Sequence, residues 1–363
     1  MPKEEKMSLN YDTLKSVFFK FDPETAHKIA EVAMIGANCV FPGSLSLLAN
    51  KCVINDVRLQ QNLLGSIYNN PIGIGGGFDK NATMFAALTA LGFGYLEFGT
   101  FTPKAQPGNQ KPRLFRLVEE ESIQNAMGFN NDGSQKIKQR VEKLYPNVVP
   151  LWANIGKNKI TPNEKAIEDY EVLVKDFSEI CDAFVVNISS PNTPNLRDLQ
   201  ESEFITELFS KIKPLTKKPI ILKISPDLSH EKAIKLSQSA VASGADGIIV
   251  SNTSIDYSLL NSPKLQNFGG LSGKVITQKS REIFKAVADE LYGKTVLIAC
   301  GGIDNAQEAY DRIKMGASLI QIFTSFIFKG PMICRDINEG VLKLLEADGY
   351  ANISEAIGVD VRK

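Results

Sequence analysis

The chain is poor in histidine and has no grouping that suggests a metal. Of its 363 residues only two are histidines, His27 and His230. His27 lies in the N-terminal stretch, and His230 follows Pro226-Asp227-Leu228-Ser229 at the expected start of a helix. Neither stands beside a strand-end serine aligned with a carboxylate, so a Ser-His-Asp triad is poorly supported and both read as packing or capping residues. The five cysteines (Cys39, Cys52, Cys181, Cys300, Cys334) are odd in number, scattered and without a Cys-x-x-Cys pair. That argues against structural zinc or a disulfide framework and fits a reducing compartment. No His/Cys/carboxylate cluster has metal-ligand spacing. Lys+Arg and Asp+Glu both number 41, so the basic excess of a nucleic-acid surface is missing. No apolar run reaches the roughly 18–20 residues that span a bilayer. The charged start, Met1-Pro2-Lys3-Glu4-Glu5-Lys6, does not have a signal-peptide layout.

What is present is the usual globular mixture, 43% hydrophobic and 23% charged, in a length that fits one barrel-sized domain plus an appendage or two ordinary domains. From about residue 70, short apolar runs alternate with longer amphipathic segments. The runs are 71–74, 95–99, 150–155, 184–188, 220–224, 247–250, 296–300 and 319–323. Eight strand–helix units predict a (β/α)8 TIM barrel; a doubly wound open sheet is the alternative. Before them, Leu14, Val17, Phe18, Phe19 and Phe21 crowd together. Asp22-Pro23-Glu24 then reads as a helix start. The helix is expected to give way around Gly36–Asn38, ahead of Phe41-Pro42-Gly43 and a second apolar patch. Residues 1–50 therefore read as a two-helix extension of a 51–363 barrel. Its apolar faces suit either a membrane interface or packing against the domain.

Such barrels carry chemistry at the carboxyl ends of their strands. The fourth run breaks into Asn187-Ile188-Ser189-Ser190-Pro191-Asn192-Thr193, denser in amides and hydroxyls than a turn requires; it is a site or a polar connection. The first ends in Gly75-Gly76-Gly77-Phe78-Asp79-Lys80, the second in Gly99-Thr100, the third in Asn154-Ile155-Gly156-Lys157-Asn158 and the sixth in Ser251-Asn252-Thr253. Lys223 interrupts the fifth; it either faces an anion or an electron-rich ring, or snorkels out at the strand end. The glycine-rich turn at Gly301-Gly302 and the strand end at Phe323-Thr324, with Gly269-Gly270-Leu271-Ser272-Gly273 before them, point to a phosphate-bearing cofactor. A site of amides, hydroxyls and lysines holds a planar substrate and leaves electron chemistry to that cofactor.

These motifs, with Thr102-Pro103-Lys104, Pro107-Gly108-Asn109, the run from Pro112 to Leu117, and Met127-Gly128-Phe129-Asn130-Asn131, resemble the class 2 dihydroorotate dehydrogenases. The similarity spans essentially the whole chain, including Asp22-Pro23-Glu24-Thr25-Ala26-His27. The resemblance implies FMN held at Gly75, Gly76, Gly77, Phe78, Asp79, Thr100, Asn154, Asn187, Lys223, Ser251, Gly273, Gly302, Phe323 and Thr324. It implies dihydroorotate or orotate at Lys80, Asn125, Ala126, Met127, Gly128, Phe129, Asn187, Asn192, Asn252 and Thr253. Ser190 matches the catalytic base, with Thr193 and a bound water as relay and Phe129 as gate. Lys223 is expected to stabilise charge on the reduced flavin. A membrane quinone is expected to enter between the N-terminal helices and meet Arg116 and Phe323. The implied enzyme is a peripheral membrane protein, a monomer on the cytoplasmic face of the inner membrane, serving pyrimidine biosynthesis.

Three departures from the family pattern stand out. Gly75-Gly76 stands for the usual alanines and is expected to alter only loop flexibility. Ala126 replaces an arginine, and Phe323 replaces a frequent tyrosine, removing one expected hydroxyl. Two rivals stay open on sequence alone. One is a non-catalytic phosphate binder. The other is a different FMN barrel, either a 2-hydroxy-acid oxidase, which lacks its histidine here, or a tRNA dihydrouridine synthase, which lacks its basic surface.

Overall fold

A computed structural model of the protein describes residues 4–41, 43–260 and 269–362; Pro42 and the side chain of Cys39 lie outside the described residues. Eight parallel strands close on themselves in chain order: Ile72–Asp79, Tyr95–Phe101, Leu151–Ile155, Ala183–Asn187, Ile220–Ile224, Gly247–Val250, Val296–Cys300 and Leu319–Ile322. The last pairs with the first, Ile320 opposite Ile72 and Ile322 opposite Ile74. The barrel is the expected one, and closure excludes the open sheet.

Strand alternation sorts the side chains into two cores. Outward residues such as Leu96, Phe98, Phe184 and Val186 pack beneath the surrounding helices. Inward ones at the lower end, among them Tyr95, Trp152, Val185, Ile221 and Leu319, form a separate apolar cluster. A hairpin of Gln61–Leu63 and Ser66–Tyr68 closes that end, and the Tyr68 hydroxyl accepts a hydrogen bond from Trp152 Nε1 at 3.1 Å. Two residues further along each strand the inward set turns polar: Glu97 after Tyr95, Asn154 after Trp152, Lys223 after Ile221 and Gln321 after Leu319. The barrel thus has an apolar floor and a polar upper layer.

The N-terminal region holds three helices rather than two: α1 (Glu4–Phe18), α2 (Pro23–Val40) and α3 (Ser44–Cys52). Asp22 caps α2 as expected, its Oδ2 accepting from Thr25 N at 3.0 Å. The helix does not give way at Gly36. One glycine costs a helix only about 1 kcal/mol, and the break comes instead beyond Val40, before Gly43 at φ 87°. The Tyr11 hydroxyl donates to Ile327 O at 2.6 Å, and Phe19 meets Phe328 edge-on, so α1 and the residues just after it lie against the helix Thr324–Lys329. A three-stranded antiparallel sheet, Leu114–Leu117, Ser122–Asn125 and Gly270–Gly273, stands over the barrel mouth.

Candidate active site

A cavity of about 960 Å³ runs from the strand tips out between α1 and α2. Gly75, Gly76, Gly77, Phe78, Asp79, Thr100, Asn187, Lys223, Ser251, Gly273, Gly302, Phe323 and Thr324 line it, with Ser190, Lys80, Asn125, Met127, Gly128, Phe129, Asn192, Asn252, Thr253 and Arg116. Three expected residues do not. Asn154 is buried one layer down, Ala126 borders a separate shallow depression with Asn109 and Asn192, and Thr193 is buried behind the Ser190 loop.

Hydrogen bonds tie the strand tips together. Asn252 Nδ2 donates to Asn187 Oδ1 at 3.2 Å and to Ser189 Oγ at 2.9 Å. Asn187 Nδ2 donates to Thr100 Oγ1 at 2.8 Å, and that hydroxyl donates to Asn154 Oδ1 at 2.5 Å. Asn192 Nδ2 donates to Asn125 Oδ1 at 2.8 Å, and Ser190 Oγ accepts from Asn192 N at 3.3 Å. Asn192 Oδ1, Thr193 Oγ1 and Thr253 Oγ1 are buried without a hydrogen-bond partner. Orphaned acceptors and hydroxyls around a cavity mark where a polar ligand belongs.

Lys80 Nζ donates to Gly77 O at 2.6 Å, and enclosure lowers its pKa to about 8. Lys223 faces the barrel interior and does not snorkel. Its Nζ lies 3.2 Å from Glu97 Oε1 and donates to Gln321 Oε1 at 3.2 Å. Burial opposes its charge, but the Glu97 carboxylate outweighs that and raises the pKa. The Asp79 carboxylate is engaged locally, accepting from Thr83 N at 2.9 Å and Met84 N at 2.8 Å. His27, in α2, packs edge-on against Phe78 with ring centroids 5.1 Å apart. Burial, then the Lys80 charge, lowers its pKa to about 4, so it is neutral at pH 7.

The donor set fits FMN. Gly273, Gly301 and Gly302 all have positive φ and present bare backbone to one wall; a Cβ at Gly302 would overlap Thr277. That wall is braced from behind. Ser280 Oγ donates to Gly301 O at 2.7 Å and Thr277 Oγ1 to Gly302 O at 3.0 Å, while buried Arg312 donates to Ser280 Oγ at 2.8 Å. Lys223 and the amides of the upper layer supply polar contacts for a flat heterocycle.

Sequence reasoning missed four contributors. Glu97 was legible as a lone acid inside a buried apolar strand. Arg113 lies inside the Pro112–Leu117 run, but neither it nor Arg197 or Arg312 carries a signal of its role. Arg197 Nε donates to Ser189 O at 2.8 Å and its Nη2 to Thr253 O at 2.7 Å, with Nη1 held by Asp227, so it fastens the Ser190 loop to the sixth-strand loop. The two glycines at Gly75-Gly76 also need a corrected reading. They lie within the strand Ile72–Asp79 rather than in a loop, and what Gly76 supplies is room, because a Cβ there would overlap the Glu97 carboxylate.

The mouth of the cavity is apolar, lined by Leu14, Phe18, Ala30, Met34, Leu45 and Leu48. Arg116 sits there with its guanidinium 4.6 Å from the Phe19 ring centre, donating to Phe21 O at 2.9 Å. Phe323 stands deeper, edge-on to Phe78. No helix among the described residues is long and apolar enough to cross a membrane.

Comparison with known proteins gives one answer. The family model described as dihydroorotate dehydrogenase matches residues 58–345. The dihydroorotate dehydrogenase (quinone) of a Nitratiruptor species is 56% identical over 98% of this chain and 100% of its own length. That of a Sulfurovum species is 53% identical over 97% of this chain and 98% of its own. A crystal structure of DHODH from Eimeria tenella in complex with ferulenol matches with a TM-score of 0.83 and 32% identity, covering 96% of this chain and 99% of that one. With the barrel, the glycine-walled cavity and these relatives agreeing along its full length, the chain belongs to the quinone-dependent, class 2 dihydroorotate dehydrogenases.

Proposed function

We propose that Ser190 is the base in the oxidation of dihydroorotate to orotate that this FMN-dependent, quinone-linked enzyme of pyrimidine biosynthesis carries out. Bound FMN supplies the acceptor for the hydride that leaves C6 of the substrate and the link to the quinone. The rest is the work of side chains. Lys80 pairs with the substrate carboxylate, and Asn125, Asn187, Asn192 and Asn252 hold the amide edges of the pyrimidine, with Thr253 and the backbone from Ala126 to Phe129 completing its wall.

Ser190 Oγ removes the C5 proton. A free serine hydroxyl is far too weak a base for this at neutral pH, so the proton must pass on. The orphaned Thr193 hydroxyl behind Ser190 is the relay, through one water, and the Phe129 ring on the cavity wall gates that water's exchange. Lys223 holds positive charge at the cavity floor, where negative charge develops as electrons arrive. Asn154 contributes from beneath by fixing the Thr100 hydroxyl.

Residues 1–50 form the quinone entrance. Exposed Leu14, Val17, Phe21, Val32, Phe41 and Leu47 give this region an apolar outer face without a spanning helix, which suits peripheral docking of a monomer on the cytoplasmic face of the inner membrane. The quinone head then passes between α1 and α2 toward Arg116 and Phe323. One observation carries this reading: a single cavity joins Ser190 and Lys223 to the apolar mouth. Anaerobic dihydroorotate should bleach the bound FMN, and a quinone should restore its colour faster than fumarate or NAD does. Deleting residues 1–45 should spare the bleaching and abolish the quinone step; equal loss of both would refute the assigned entrance.

A further inference from the structure

The reaction as described uses Lys223 but leaves the acid opposite it without a role. Glu97 is fully buried. Its two oxygens accept hydrogen bonds from Asn154 Nδ2 and Gln321 Nε2, and Lys223 Nζ stands 3.2 Å from Oε1 and 3.5 Å from Oε2. Gln321 closes the arrangement by accepting from the same ammonium at 3.2 Å. Three strands thus fix one carboxylate, and that carboxylate fixes one lysine. Gly76, on a fourth strand, leaves the space the Glu97 head occupies.

We propose that Glu97 is a positioning residue, holding the Lys223 ammonium charged and in one place at the floor of the FMN pocket. The inference rests on the reading above that Lys223 faces FMN. Removing one partner of a buried ion pair leaves the other charge uncompensated, and a buried lysine then loses its proton more easily. The other titratable groups near the pair are the Cys300 thiol and the Tyr95 phenol, both raised by burial and therefore neutral at physiological pH, with Arg312 acting on Cys300 from the helix side. Glu97 is the group that keeps Lys223 cationic.

The test is the two-electron midpoint potential of bound FMN in the purified holoenzyme, measured from about pH 6 to pH 9, for the wild type, K223M, E97Q and the double variant. FMN affinity is measured alongside by fluorescence titration of each apoprotein. E97Q is expected to move the ratio of oxidised to reduced FMN about tenfold at the alkaline end, about 30 mV for a two-electron couple, toward the value of K223M. That offset should shrink as the pH falls and Lys223 regains its proton. In the K223M background E97Q should add nothing. An offset that ignores pH, one that persists without Lys223, or the absence of any E97Q effect where K223M has one would each overturn the proposal. If K223M itself changes neither potential nor FMN affinity, the reading of Lys223 fails first, and the Glu97 proposal falls with it. Should E97Q not fold, G76A displaces the same carboxylate. Its offset must likewise vanish in K223M, and an offset that survives there would overturn the proposal.

Discussion

Arg113 and Glu24, 89 residues apart, are joined by two hydrogen bonds: Nη2 to Oε1 at 2.8 Å and Nε to Oε2 at 3.2 Å. The same guanidinium donates through Nη1 to Pro107 O at 2.6 Å and Asn109 O at 2.8 Å. Asn109 Nδ2 in turn donates to Asn192 O at 2.9 Å. The first turn of α2 is thereby tied to the loop around Ser190. Glu24 is expected to carry about 2 kcal/mol of this coupling, as a charge-assisted pair around a buried arginine. E24Q should lower the melting temperature by a few degrees and raise the KM for quinone, with dihydroorotate bleaching nearly unchanged. Burial works against ionisation of Glu24, but Arg113 outweighs it and holds the carboxyl below its ordinary range. The tie is therefore intact at neutral pH and released only as the pH falls below the usual carboxylate range. Thermal melts of wild type and E24Q should converge there.

Replacing Ser190 with alanine removes the atom assigned to take the C5 proton. The rate of anaerobic FMN bleaching by dihydroorotate should fall by about 10²–10⁴-fold, while FMN content and orotate affinity stay near wild type. T193V should slow the same step by a smaller factor, because it removes the relay and leaves the base. Equal rates for S190A and wild type would refute the assignment.

With Lys80 as the proposed partner of the substrate carboxylate, orotate binding should depend on pH. Enclosure lowers its pKa to about 8, so it is cationic below that pH and neutral above it. The affinity of the holoenzyme for orotate, read from the flavin spectrum, should weaken as the pH rises past about 8. K80R should carry full affinity to higher pH, and K80M should be weak throughout. An unchanged profile in K80M would show that another cation holds the carboxylate.

Phe323 is half-buried, edge-on to Phe78 at 5.6 Å between ring centres and lining the cavity. F323Y adds a hydroxyl on the proposed quinone path. One new hydrogen bond of about 0.5–1.5 kcal/mol should lower the KM for quinone roughly 2–10-fold and leave the dihydroorotate half-reaction alone. Steady-state kinetics at saturating dihydroorotate checks this.

The barrel was legible because each strand is an apolar run too short for a helix and bounded by glycine or amide-rich turns. Lys223 stood out for the same reason, as a charge where every neighbour is apolar. Glu97 carries an equal signal between Leu96 and Phe98, but it lies inside its strand rather than at the carboxyl end, so nothing in the sequence marks it as the counter-ion of Lys223. The α2 boundary was misplaced because Gly36 reads as a stop, whereas a half-buried glycine with open space where a side chain would stand is merely a weak helical position. The roles of Arg113, Arg197 and Arg312 were not legible. Each has a decisive partner tens of residues away, Glu24 for Arg113, Asp227 and Thr253 for Arg197 and Ser280 for Arg312, and only the folded chain brings them together. Asp79 was legible as part of the flavin motif but not as the residue whose carboxylate caps the backbone of Thr83 and Met84.

Tyr11 and Ile327 are 316 positions apart, yet one hydroxyl-to-carbonyl bond joins them. At about 5–20 residues per second on the ribosome, α1 emerges roughly 15–60 s before its docking surface exists. During that interval the apolar side chains that α1 turns to this surface face only water, a chaperone or a lipid surface. The peripheral docking proposed for this segment can therefore begin before the barrel that will hold it is complete.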